Sequence, residues 1–274
     1  MRKILIAIFL SLLSFPAWAV NYCNDSNTAA GWELDDTSWQ DCTINGNSGT
    51  TVGVLDVVAA KYDNGVRFTG DNNTYINFGS GATIDNVFDG GGTFALWAAI
   101  DDPGTAGTIC SGGTIASKGP ANGWELCVNI DGSLTFGYKF EFGYNIWTTT
   151  TTPFSAFDFT AKHIMVYYNS DSADNDPIIG VDCSAQSITQ TATNSGTRNT
   201  DAGWSLTFSV ENDLLEIGEI FGIFDDAILY NGDLTADCAT LAANGIDGSH
   251  GSGGSSDIAT GKIINGAILN DIVF

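Results

Sequence analysis

Basic residues are scarce. Nine Lys and Arg stand against 32 Asp and Glu over 274 residues, for a formal net charge of -23. A nucleic-acid binder needs a basic stripe, and nine cations spread over this length do not supply one. Glu is rare too: 26 of the 32 acids are Asp. A long helical or coiled-coil chain would be rich in Ala, Glu, Lys and Leu. There are two His, His163 and His250, and no C-x-x-C pair, which argues against structural zinc. After residue 15 no apolar run approaches the roughly 20 residues of a membrane-spanning helix. With 43% hydrophobic and 11% aromatic residues, the chain is also no disordered acidic tail.

What is present is Asp, Asn and Gly, which favour turns, and Thr and aromatics, which favour strands. Arg2 and Lys3, the apolar run 4–15 and Ala17-Trp18-Ala19 read as a signal peptide cleaved after Ala19. The competing reading is an uncleaved anchor. Six Cys follow (23, 42, 110, 127, 183 and 238), an even count that in an exported chain favours three disulfides. Of the 15 pairings the expectation is Cys110–Cys127, since Cys110 precedes and Cys127 lies within a hairpin read at Thr114–Asn129.

Short strand-like runs recur between turn signals: 66–69, 75–78, 94–100, 114–118, 123–129, 134–138, 163–168, 177–181, 204–210, 214–217 and 227–230. This spacing means a sandwich or barrel rather than a parallel α/β sheet. One short helix is expected at Thr235–Ala243, with Thr235 as N-cap and Gly245 ending it. Residues 20–246 read as one sandwich domain and 247–256 as a Gly/Ser linker. Residues 257–274 read as an apolar, strand-like tail that docks back on the sandwich or exchanges with a neighbouring subunit. The terminal Phe274 also resembles the last strand of an outer-membrane barrel, but such barrels need alternating strands of about ten residues throughout.

The order of these elements resembles the laminin-G-like, concanavalin-A-like jelly-roll family. Gly65-Val66-Arg67-Phe68 with Tyr75-Ile76 is similar to its opening element. Thr93–Ala98, Thr114–Gly119, Gly123–Phe136, His163–Asn169 and Ile217–Asn231 are similar to its later ones, over roughly residues 30–246. The resemblance implies a two-sheet antiparallel sandwich and a core place for His163. It also implies a structural calcium where the loop after the first core strand meets the "iDd" element, here Asp71, Asp225 and Asp226. Calcium takes six to eight oxygens, which an Asp-rich chain supplies. In the bland alternative, Asp71 caps a turn and Asp225 or Asp226 accepts from backbone amides.

Two further groups stand out. Asn169, Asp171, Asp174 and Asp176 offer four oxygens in eight positions, but without the sharp-turn Gly of an EF-hand they read as a solvated loop. Tyr138, Phe140, Phe142 and Tyr144 share one strand face by parity. That face is core, or else Tyr144 and Trp147 are the rings that stack on a glycan. Trp97 reads as core. No catalytic constellation is evident. Glu216 and Glu219, three apart, point to opposite faces of an extended strand. Lys139 and Tyr144 lack the second basic element a uronate lyase needs. The leading expectation is therefore an exported or surface-bound module recognising glycans or extracellular surfaces. A cell-surface assembly protein joined through 257–274 is second, and a polysaccharide-cleaving enzyme third.

Overall fold

The computed structural model describes residues 20–70, 74–119, 122–211 and 218–248. The expected leader, the linker from residue 249 and the tail 257–274 lie outside the described residues. After one 3₁₀ turn at Tyr22–Asn24 come β1 (Thr28–Trp32), β2 (Thr50–Val52), β3 (Asp56–Ala59), β4 (Asn64–Thr69), β5 (Tyr75–Gly79) and β6 (Gly92–Asp102). Next are β7 (Thr114–Lys118), β8 (Trp124–Val128), β9 (Leu134–Phe140), β10 (Gly143–Thr149) and β11 (Lys162–Tyr168). The chain continues through β12 (Ile178–Val181), β13 (Ser184–Ala185), β14 (Ile188–Ala192), β15 (Leu206–Phe208), β16 (Phe221–Tyr230) and α1 (Cys238–Asn244).

One sheet runs β13-β12-β11-β6-β16-β4-β3, with β1 also paired to β16; the other runs β14-β10-β9-β8-β7-β15-β5-β2. All the strand pairings are antiparallel. This is an all-β, two-sheet jelly-roll sandwich. Its core is an aromatic slab between the sheets. Trp124 meets Phe88 edge-on at 5.3 Å and lies 5.4 Å from Phe94, while Phe136 stacks on Trp147 at 6.3 Å. Fully burying each such side chain is worth about 1.5–3 kcal/mol.

The first sheet is covered on its outer side as well, by the N-terminal segment, α1 and the chain after it. Ala95, Met165 and Ile228 pack there with Tyr22, Leu234, Leu241 and Ile246. Two covered faces explain why β6 reads as a continuous apolar run rather than an alternating one. Trp97, 8% exposed, also points to this outer side, where Lys61 Nζ sits 4.7 Å from its ring. The helix begins later than expected: Asp237, not Thr235, is the N-cap, and Gly245 is the C-cap, its N–H donating to the Leu241 carbonyl.

Disulfides join Cys23–Cys42, Cys110–Cys127 and Cys183–Cys238. The second is the pair expected across the hairpin. The third ties α1 to the turn after β12. Beside it lies His163, 2% exposed, with Nδ1 3.5 Å from Cys238 Sγ and its ring 5.4 Å from that of Trp97. Burial pushes the His163 pKa down to about 4.

Between pH 6.5 and 4 the unfolded chain therefore binds a proton that the folded chain refuses. The His163 contribution is intact above pH 6.5 and is lost as the pH falls toward 4, by at most about 3 kcal/mol. In denaturant melts across that range, His163→Gln should show a shallower acid decline than the wild type. Parallel curves would place the loss elsewhere.

Candidate functional site

The first acidic centre arises where β16 changes neighbours. Its Phe221–Phe224 half pairs with β4, and its Ala227–Tyr230 half pairs with β1. Between them the register with β6 shifts, and Asp226 takes a positive φ of 43°. This bulge turns two adjacent carboxylates inward, with Asp225 2% and Asp226 4% exposed. Asp225 Oδ2 accepts from the Tyr62 amide at 2.7 Å, and Asp226 Oδ2 from the Ile246 amide at 3.3 Å. Asp225 Oδ1 and Asp226 Oδ1 are buried without a hydrogen-bond partner. Burial raises both pKa values well above the usual carboxylate range. Asp226 and Asp35 add to the effect on Asp225; Asp35, Asp247 and Glu33 add to that on Asp226.

The residues present fit a hard cation in part: two orphaned carboxylate oxygens with further acids close by. Asp71 lies outside the described residues. Its neighbour Gly70 sits beside Phe221, whereas Asp225 sits beside Gly65 at the other end of the β4–β16 ladder. The charges acting on the pair are those of Glu33, Asp35 and Asp247.

The aromatic stretch is not one strand. Glu141 and Phe142 form the turn between β9 and β10, which breaks the assumed parity. Tyr138 and Phe140 face the core, at 0% and 1% exposure. Trp147 is fully buried, stacked on Phe136, and its indole N–H donates to Asp176 Oδ1 at 2.8 Å. The expectation that Trp147 meets a ligand is therefore corrected: it is a core residue. Tyr144 lies on the outer face of the second sheet, half-buried, with Lys139 Nζ 4.9 Å from its ring. Burial, then the charges of Glu125 and Glu211, raise its phenol pKa. Phe142 is left at the turn tip, 68% exposed.

The loop after β11 carries its acids separately. Asp176 holds Trp147, Asn169 Oδ1 accepts from the Asp171 amide, and Asp171 pairs with Arg198 at 2.5 Å. Arg198 also grips Asp89 at 2.6 Å, and the chain around it is bound to β9 through a Phe140–Arg198 bridge. Between residues 171–174 and 195–198 opens a cleft of about 770 Å³ lined by Asp171, Ser172, Asp174, Thr197 and Arg198. Gly196 lines it too, and a Cβ there would come within 3.1 Å of the Phe142 ring. The exposed ring therefore neighbours Gly196, one of the residues that line the cleft. A guanidinium held by two carboxylates, hydroxyls around it and an apolar ring at the edge can together hydrogen-bond and stack on a polyhydroxylated ligand.

A second acidic centre, not singled out in the sequence, lies on the outer face of the second sheet. Glu125 on β8 is fully buried and Glu211, beyond β15, is 1% exposed. Glu125 Oε1 accepts from Thr114 Oγ at 2.9 Å, and Glu211 Oε2 accepts from the Thr108 amide at 2.5 Å. Burial first, then the charge of Glu211, push the Glu125 pKa up to about 8. Sealed from solvent, this pair does not meet a glycosidic oxygen. The only sequence signal was parity on β8, where Glu125 alternates with the inward Trp124 and Leu126. Of the glutamates weighed for catalysis, Glu216 lies outside the described residues and Glu219 is buried at 2% exposure.

The two-sheet β-sandwich architecture is similar to that of several solved domains. The binding domain of Paraclostridial Mosquitocidal Protein 1 superposes with a TM-score of 0.62 at 16% identity, over 79% of this chain and 52% of that one. The binding domain of botulinum neurotoxin DC, solved with rat synaptotagmin II, gives 0.60 at 12% identity, over 79% and 51%. This chain thus spans about half the length of those toxin domains. Domain 4 of AbnA, a GH43 extracellular arabinanase from Geobacillus stearothermophilus solved with arabinotriose, gives 0.53 at 14% identity, over 79% and 98%. No protein-family model matches the chain, and no curated protein matches it in sequence.

As a core residue, Trp147 replaced by Ala should cost ~3–5 kcal/mol of stability in a denaturant melt. Full stability combined with lost ligand binding would return the ring to the surface.

Proposed function

We propose that this chain is an exported carbohydrate-recognition module whose ligand seat is the cleft between residues 171–174 and 195–198. The observation that carries the reading is Arg198, held by Asp89 and Asp171 at the wall of an open polar cleft, with the exposed Phe142 ring beside Gly196 of the same lining. Ordered charged groups lose little freedom when a hydroxyl replaces water, and the ring offers an apolar platform for a sugar face. The neighbours agree in kind. One is an arabinanase domain solved with arabinotriose, one a toxin binding domain solved with SialylT. Another toxin, botulinum neurotoxin type C, is described as entering cells through two ganglioside molecules. Three disulfides and the leader-like first segment support export. No helix among the described residues is long and apolar enough to cross a membrane.

A glycan array probed with the wild type should give a defined set of binders. For the best of them, Arg198→Ala and Phe142→Ala should each weaken binding by at least about tenfold, a loss of ~1.4 kcal/mol. Binding that is unchanged in both variants would remove the cleft as the seat. Concentration-dependent assembly that requires residues 257–274, without glycan binding, would favour the surface-assembly role.

Calcium at Asp225 and Asp226 belongs to the same reading as a structural ion. The two carboxylates would hold it, offsetting the repulsion of the acids gathered at the bulge. Calcium in excess should then raise the melting temperature by about 5–10 °C. EGTA should reverse the shift, and Asp226→Asn should lose much of it. A melt indifferent to both would leave the carboxylates as backbone acceptors.

A further inference from the structure

The second acidic centre is a built site. The neighbouring strands β8 and β7 bring Glu125 and Thr114 to one outer face of the second sheet, and the chain beyond β15 brings Glu211 there. The segment 103–113 lies over them. It is pinned by the Thr105 amide donating to the Glu219 carbonyl at 3.0 Å, by the Thr108 amide donating to Glu211 Oε2 at 2.5 Å, and by Cys110–Cys127. Ile109 covers the strand next door, where a Cβ on Gly137 would lie 2.5 Å from Ile109 Cδ1.

Under this cover three oxygens converge. A Cβ on Gly107 would sit 2.8 Å from Glu125 Oε1, 3.3 Å from Glu211 Oε2 and 3.3 Å from Thr114 Oγ1. Gly218 adjoins Gly107, and a Cβ on it would lie 2.5 Å from Thr114 Oγ1. Glycine at both positions leaves the oxygens unobstructed. Glu125 Oε2 is buried with no hydrogen-bond partner, on a side chain with no exposed surface. Among the described residues no Lys or Arg forms an ion pair with Glu125 or Glu211. The nearby Lys139 ammonium instead lies over the Tyr144 ring.

We propose that Glu125, Glu211 and Thr114 form a binding site for a hard divalent cation of the calcium type, fastening the segment 103–113 to the outer face of the second sheet. Two buried carboxylates without a counter-charge repel each other and lose their hydration. A divalent ion compensates both costs at once. Two carboxylates and a hydroxyl are its preferred oxygen donors, and backbone carbonyls or water would complete the shell. The thiols nearby are in a disulfide, so a soft metal has no ligand here. The site is separate from the Asp225–Asp226 bulge, which lies in the other sheet and depends on a different reading.

The test is calcium binding by calorimetry on the mature wild-type protein, stripped with EGTA and dialysed, at neutral pH and with magnesium as a second probe. The expected affinity is ~0.1–1 mM, the range of extracellular calcium modules. Glu125→Gln and Gly107→Ala should each raise the Kd of this site by at least about tenfold, while Asp226→Asn leaves it unchanged. Gly107→Ala keeps both carboxylates but places a methyl among them, so it reports on the cradle even where Glu125→Gln perturbs folding. Near-UV circular dichroism checks the fold of each variant. Calcium binding that survives in both folded Glu125→Gln and Gly107→Ala would overturn the proposal. So would an absence of calcium binding by the wild type together with a Glu125→Gln variant more stable than wild type at pH 8, which would mean that the two glutamates share a proton instead. Loss of binding in Asp226→Asn alone would refute this site and uphold the other.

Discussion

The pairing of β16 with β6 is the constraint on which the rest of the molecule depends. β16 forms a ladder with β6 from Phe221↔Asp102 to Tyr230↔Thr93, and on its other side it serves β4 and then β1. One strand cannot present a regular edge to two partners that approach it along different halves. The mismatch is absorbed as a bulge at the changeover, and a bulge redirects side chains. Had the residues there been apolar, the changeover would be plain core. Asp225 and Asp226 make it instead a pair of buried carboxylates anchored by the Tyr62 and Ile246 amides. The bulge therefore also fixes where the segment after α1 returns to the sheet.

The second sheet obeys a simpler rule with a similar result. Period-two alternation sends Trp124, Leu126, Phe136 and Tyr138 into the aromatic slab and sends Glu125, Lys139 and Tyr144 the other way. An outward face is usually solvated, but here the segment 103–113 lies on part of it. Polar residues that alternation alone would leave in water become buried. The open cleft lies instead at the end of β9, where the chain around Arg198 is bridged to Phe140 and the Glu141 amide donates to the Thr197 carbonyl.

Much of the scaffold could be read from the residues, and the reasons are local. The runs at 94–100, 114–118 and 163–168 are dense in strand formers and bounded by turn residues, and they emerge as β6, β7 and β11. The Cys110–Cys127 pair follows from the proximity of the two cysteines across one hairpin. Lys118, whose motif contributed to the family resemblance, is wholly buried and bonded to Asp85 and to the Trp204 carbonyl. What stayed hidden depended on distant parts of the chain. Strands β1, β2 and β3 are short and weakly apolar and exist because partners from elsewhere pair with them. The aromatic stretch reads as one continuous strand because nothing in Glu141-Phe142 resembles a strong turn signal. Asp225 and Asp226 were legible as a pair, whereas Arg198, Asp89 and Asp171 come from three separate segments and meet only in the fold.

The acidity of the chain divides along the same line. Part of the Asp excess serves turns: Asp36, Asp41, Asp102, Asp131, Asp158 and Asp233 each accept from the amide two residues ahead. Those bonds favour the charged form, and they hold Asp36, Asp131 and Asp158 below the usual carboxylate range. A short side chain suits that work, since it must reach its own backbone. Glutamate is too long for it and carries its carboxylate away from the strand. Of the five described Glu, three are buried: Glu125, Glu211 and Glu219. Abundance drew attention to Asp, yet an acid that recurs at every turn is explained by turns. The rare acid had no such use, and its presence on a strand was the stronger sign of a site.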